Sequence, residues 1–203
     1  PKPSSAASDV YKRQVFIVFL IFGLGMLAPL TAMFAHMQGQ ENYPHGGVLL
    51  RHSLSVAVGV GVVITALLLG LMPHLDIFGQ RPEVLSQALG FFKILTWSIL
   101  PSLIYQCYKQ FTDGIGKTKV GMVVMIVGVL LNVVGNYLLI HGYYGFPKLG
   151  LNGAAYATLM ARTFMAVVMV AYVHLHPKFK KYMEQPWIHR FDHQILKNMI
   201  RLG

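Results

Sequence analysis

Five long runs with few or no charges, joined by short turn-like links, constrain this chain more than any other feature. Val15 to Met37 is 23 residues without a charge, and Ser53 to Met72 is another 20. Ala88 to Tyr108 carries only Lys93, and Val120 to Ile140 carries two amides, Asn132 and Asn136, but no charge. Gly153 to Val173 carries Arg162 near its middle. A bilayer core of about 30 Å needs about 20 apolar residues in a helix rising about 1.5 Å per residue. Each run is long enough to cross as a helix, which satisfies every backbone polar group within itself. The expected fold is all-α, a polytopic transmembrane helical bundle with five spans over residues 15–175. Composition agrees, with 12% of residues charged and a mean hydropathy of +0.54, against about 25% charged in a soluble domain.

The links read QGQENYPHGG, PHLDIFGQRPE, KQFTDGIGKTK and HGYYGFPKLGLN. Arg51, Lys109, Lys117 and Lys119 fall beside the first and third, and Lys178, Lys180, Lys181, Arg190, Lys197 and Arg201 in the tail. The opposite side holds Arg81 and Lys148 alone. Positive residues accumulate on the cytoplasmic side, so the first and third links and the tail are expected there, in a multi-pass protein of the cell inner (plasma) membrane. The net charge of +10 is thus an orientation signal facing the lipid bilayer, and no nucleic-acid partner is expected. The single Cys107 excludes an intrachain disulfide framework and a multi-cysteine zinc site.

Residues 1–14 differ sharply in composition from the rest of the chain. Ser4 to Gln14, SSAASDVYKRQ, resembles a translated sequencing-library adapter, so residues 1–14 are expected to be a non-native leader. Residues 176–203 are expected to form a cytoplasmic linker and the start of a further helix, making the chain a fragment.

GIGKT, residues 114–118, looks like the end of a phosphate-binding loop. Such a loop is G-x-x-x-x-G-K-[ST] after a buried strand, with backbone N–H groups around the phosphates. The first glycine would fall at position 111, which is Phe111, and both flanks are spans rather than strands. No nucleotide is expected. Breakers interrupt several spans: Gly23, Gly25 and Pro29 in the first, Gly59 and Gly61 in the second, Pro101 in the third. They suit either tight helix packing or the bending helices of a transporter.

Asn132 and Asn136, four apart, share a helix face, and Gly121, Met125 and Gly128 extend it into a small and polar seam. Amides facing lipid are costly, so both should point inward, as an interhelical hydrogen bond or as part of a site. Arg162 needs an acid, carbonyls or water, and none of the seven acidic residues lies in a span. It either lines a wet cavity or reaches an interface. Lys93, near the start of its span, is expected to snorkel. The nine histidines, including His174, His176, His189 and His193, lack companion ligands and read as interfacial or solvated, with no metal site. Tyr143, Tyr144 and Phe146 fit an outer aromatic belt. Tyr105, Tyr108 and Phe111 fit an inner one, with Tyr105 also a candidate contact for a cationic aromatic substrate. No catalytic triad or other catalytic residue is evident.

QFTDGIGKTK followed by LLNVVGNYLLIHGYYGFPKLGLNGAAYAT closely resembles helices 4 to 6 of MATE-type (multidrug and toxin extrusion) transporters of the NorM kind. FGLGMLAPLTAMFAHMQGQ is similar to that family's second helix and the loop after it. The resemblance covers about residues 15 to 203 and implies part of the N-terminal lobe of a twelve-helix transporter. It implies a secondary active antiporter that exports small cationic or aromatic drugs and toxins in exchange for Na+ or H+ by alternating access, with no other cofactor. It also implies a cation or proton site, whose matching residues here are Asn132, Asn136 and Thr158. Some branches carry Asp where this chain has Asn136; an amide offers a carbonyl ligand but does not titrate. Two other readings stand beside it. One is a lipid or oligosaccharide-lipid flippase of the same superfold, the other a membrane-embedded lipid-modifying enzyme. The latter needs clustered intramembrane acids or histidines, which these spans lack.

Overall fold

A computed structural model of the chain describes residues 17–72 and 82–183, without the side chains of 82–88. The expected leader, the second link with Arg81, and the tail beyond 183 lie outside the described residues. The described part is helical: α1 (17–27), α2 (Leu30–Gly39), α3 (Tyr43–Leu71), α4 (Pro82–Trp97), α5 (Ile99–Gly114), α6 (Thr118–His141), α7 (Leu151–Leu175) and a short α8 (Lys180–Met183). Ile17–Gly39, Tyr43–Leu71, Thr118–His141 and Leu151–Leu175 are each long and apolar enough to cross a membrane.

The third expected span, Ala88 to Tyr108, is two helices instead of one. Pro101 has no N–H to give the carbonyl of Trp97, and its ring crowds that carbonyl. The ladder accordingly stops at Ser98, whose N–H turns back to Leu95 O at 3.0 Å, and restarts when Ser102 N–H reaches Ser98 O at 3.2 Å. Pro29 breaks the first span in the same way. Ala28 N–H bonds Gly25 O and Met33 N–H bonds Pro29 O, both at 3.1 Å.

Two expected links are largely helical. Asn42 caps α3 by accepting from His45 N–H, with Pro44 in the first turn, where a missing N–H costs nothing. Arg51, read as a link residue, is therefore inside α3 and buried. The third link shrinks to residues 115–117, because α5 runs on through Asp113, which meets Lys109 at 2.5 Å. The glycines of GIGKT have geometric work of another kind. A Cβ on Gly114 would lie 2.5 Å from Phe34 Cβ and 2.7 Å from Thr31 O, so glycine lets α5 close on α2. Gly116 sits at φ +76°, a conformation that L side chains rarely adopt.

α7 is the central element: α4, α5 and α6 all pack on it, and α5 also meets α2 and α3. Leu27, Leu30, Phe34, Leu49, Ile99, Leu103, Phe111, Met169 and Val173 form the shared core. α6 packs chiefly on α7 and leaves Val123, Ile126, Leu130 and Val133 exposed, the surface a helix presents to lipid. At the expected outer side, Tyr143 stacks on Tyr137 with centroids 5.0 Å apart, and Tyr144 is exposed.

At the expected cytoplasmic side, residues 177–183 strap across the ends of α2, α3 and α5. Phe179 and Tyr182 are buried, Tyr182 sits edge-on to Tyr43 and Phe111, and its hydroxyl donates to Gln38 Oε1. Burial, with Tyr43 nearby, pushes the Tyr182 phenol up to about 12, keeping it a neutral donor. Lys181 Nζ lies 3.4 Å from the Tyr43 ring centroid, a cation–π contact. A Cβ on Gly47 would fall 1.7 Å from Tyr182 O. Gly47→Ala should therefore unseat the strap. Trypsin cleavage at Lys178, Lys180 and Lys181 in inside-out vesicles should be faster than in the parent protein.

Candidate functional site

The two span amides and Thr158 meet where α6 crosses α7. The long apolar stretch of α6 makes it a helix, and the spacing of Asn132 and Asn136 puts both amides on one flank of it. Small residues on both helices let the backbones approach: a Cβ on Gly135 would stand 3.0 Å from Ala157 Cβ, and one on Gly153 only 2.5 Å from Leu139 O. That closeness brings Thr158 of α7 within reach of Asn132.

The result is a directional relay. Asn136 Nδ2 donates to Asn132 Oδ1 at 3.1 Å, and Asn132 Nδ2 donates to Thr158 Oγ1 at 3.1 Å. Thr158 Oγ1 donates in turn to Ala154 O at 2.9 Å. Each member orients the next, so both amide orientations are set by the chain of bonds rather than by choice. One group is left over: Asn136 Oδ1 is buried and has no hydrogen-bond partner. A buried carbonyl oxygen without a partner costs about 1–3 kcal/mol, and what relieves it is a cation or an N–H or O–H donor.

Arg162 is one turn beyond Thr158 on α7 but reaches away from the amides. Its Nη1 donates to Ser98 Oγ at 2.7 Å, at the break between α4 and α5. Ser98 is fully buried and its Oγ also donates to Leu95 O at 2.6 Å. Sequence reasoning misses Ser98; its only signal is a hydroxyl three residues before Pro101 in an apolar run. Tyr105 lies elsewhere. Its hydroxyl donates to Gly121 O at 3.0 Å, and Gly121 is about 16 Å along α6 from Asn132 at about 1.5 Å per residue. The structure thus joins Asn132, Asn136 and Thr158, sets Arg162 beside them, and keeps Tyr105 apart. Met125, expected on the inward stripe, is 42% exposed, because α6 has one principal neighbour and buries only the narrow line of Gly121, Val124 and Gly128. Among the described residues no three potential metal ligands of the His, Cys, Asp or Glu kind come together.

Beside the relay, on a neighbouring flank of the same two helices, runs an apolar groove of about 410 Å³. Leu131, Val134, Leu138, Phe146, Met160 and Phe164 line it.

The family model described as MatE matches residues 6–138 of the chain. The probable multidrug resistance protein NorM of Rhizobium meliloti (strain 1021) is 32% identical over 186 residues, 92% of this chain and 38% of that protein. The multidrug resistance protein PmpM of Pseudomonas aeruginosa (strain PAO1) is 31% identical over 172 residues, 84% of this chain and 36% of that protein. A crystal structure of MATE in complex with MaD3S superimposes with a TM-score of 0.84 at 22% identity, covering 98% of this chain and 44% of that one. The chain thus spans about two fifths of the length of the relatives it matches.

Proposed function

The chain belongs to the MatE family, and from that premise we propose that it is part of a secondary active antiporter. It exports small cationic or aromatic drugs and toxins in exchange for Na+ or H+, by alternating access, across the inner (plasma) membrane. The multidrug resistance relatives support this substrate class. The observation that carries the reading is the unpartnered Oδ1 of Asn136 at the head of the relay through Asn132 to Thr158. In this reading Asn136 Oδ1 and Thr158 Oγ1 supply neutral oxygen ligands to the coupling cation. Asn132 holds both in register. Arg162 lies one turn beyond Thr158 on α7 with its head group held at Ser98, and Tyr105 ties α5 to α6 through Gly121 O. The breaks at Pro29 and Pro101 supply bending points of the kind alternating access uses.

The test is export of several cationic dyes by the full-length protein in an efflux-deficient host, with Na+ and pH gradients imposed separately. Export driven by at least one gradient is expected. A well-expressed protein that exports none of the dyes under either gradient would overturn the antiporter reading. The apolar groove favours one second reading, a flippase of the same superfold holding a lipid tail between α6 and α7. Transfer of a fluorescent lipid between leaflets, without dye export, would support it instead.

A further inference from the structure

A half-buried guanidinium one turn from a neutral oxygen site raises a question of electrostatics. Arg162 and Thr158 are i+4 and i on α7, so their Cβ atoms are about 5–6 Å apart. Guanidinium stays charged under all ordinary conditions. The carboxylates among the described side chains are Glu41, in the α2–α3 link, and Asp113, which meets Lys109 at the far end of α5. Neither is placed to offset Arg162. Lys93, on α4, is exposed. What makes the charge tolerable is its seat. Nη1 donates to Ser98 Oγ at the break between α4 and α5. Pro101 also leaves the Trp97 carbonyl without its usual donor.

We propose that Arg162 is a fixed internal cation that sets how tightly the Asn132–Asn136–Thr158 relay holds a coupling ion, with Ser98 as the anchor that keeps the charge at its working distance. The inference rests on the reading of that relay as a cation site. Repulsion between Arg162 and an arriving cation weakens binding enough for the ion to leave again. The anchor ties this weakening to the α4/α5 break, so movement of the break alters the affinity. Arg162 is a positioning charge here, acting on the site without ligating the ion.

The experiment uses the full-length protein in proteoliposomes, with ethidium export measured at stepped concentrations of the driving cation. Arg162→Gln should lower the half-saturating cation concentration by about tenfold, and Arg162→Lys should leave it near the parent value. Ser98→Ala keeps the charge but frees it to approach Thr158, and should raise the half-saturating concentration several-fold. Opposite shifts from the two neutral substitutions are not what a purely packing role gives. Unshifted half-saturation in Arg162→Gln and Ser98→Ala, whatever happens to maximal rate, would overturn the proposal. If Arg162→Gln does not reach the membrane, Ser98→Ala decides alone: a raised value supports the proposal and an unchanged one overturns it. Absence of cation-dependent export in the parent protein would overturn the transport reading and this inference with it. Cation-dependent export with unshifted variants would overturn this inference alone.

Discussion

Asn136→Leu should reduce cation-coupled export on the order of tenfold or more, while the protein still folds and reaches the membrane. The substitution removes one relay bond, from Asn136 Nδ2 to Asn132 Oδ1, worth about 0.5–1.5 kcal/mol. It also removes the buried carbonyl oxygen that has no partner, which on its own slightly favours the folded state. Asn132→Leu should be worse for stability, by about 1–3 kcal/mol. It breaks two bonds and strands the Asn136 amide beside an alkyl chain. The pair separates two explanations. If the amides only tie α6 to α7, activity follows stability and Asn132→Leu is the more damaging. If Asn136 ligates the ion, Asn136→Leu loses ion dependence despite the smaller structural cost. Export and thermal unfolding in detergent, measured on both variants, check the order.

Gly153→Leu should be the most destabilising single change in the α6/α7 pair. Its first added atom would sit 2.5 Å from Leu139 O and 3.1 Å from Ile140 N. These are backbone atoms of α6, which cannot rotate away as a side chain can. The helices must separate, at a cost of about 1–3 kcal/mol or more for an overpacked site. The same separation lengthens the Asn132–Thr158 bond, so export should fall with stability. Gly59→Ala is the matched control, because nothing lies within 4 Å of its added Cβ. It should unfold at the parent temperature or slightly above, since alanine is the better helix former by about 1 kcal/mol. A clearly lowered unfolding temperature for Gly153→Leu and an unchanged one for Gly59→Ala is the expected result.

Periodicity and composition reach some parts of this molecule and not others. The fourth and fifth spans are legible almost to the residue: Val120 to Ile140 corresponds to Thr118–His141, and Gly153 to Val173 to Leu151–Leu175. Loss of apolar character and glycine turns coincide there with the helix ends. They part company at α3 and α5, where helices continue past the apolar run into polar sequence. The backbone ladder does not need a hydrophobic face once Asn42 or the Lys109–Asp113 pair supports the end. Pro101 is visible as a breaker and does split its span, with the ladder interrupted at Ser98. The Asn132–Asn136 spacing gives the shared face directly. Thr158, 26 residues on, and Ser98, 64 residues before Arg162, are out of reach of periodicity, because spacing says nothing about how two helices register against each other. Thr158 comes instead from family resemblance.

The central claim is that substrate export is coupled to opposed cation movement through the Asn132–Asn136–Thr158 relay, and reciprocity tests it most directly. In proteoliposomes holding the full-length protein, with no cation gradient, an imposed gradient of ethidium should drive Na+ or H+ in the opposite direction. The Asn136→Leu protein should lose that counter-movement. Ethidium flux through the parent protein without any opposed movement of either cation would contradict the account.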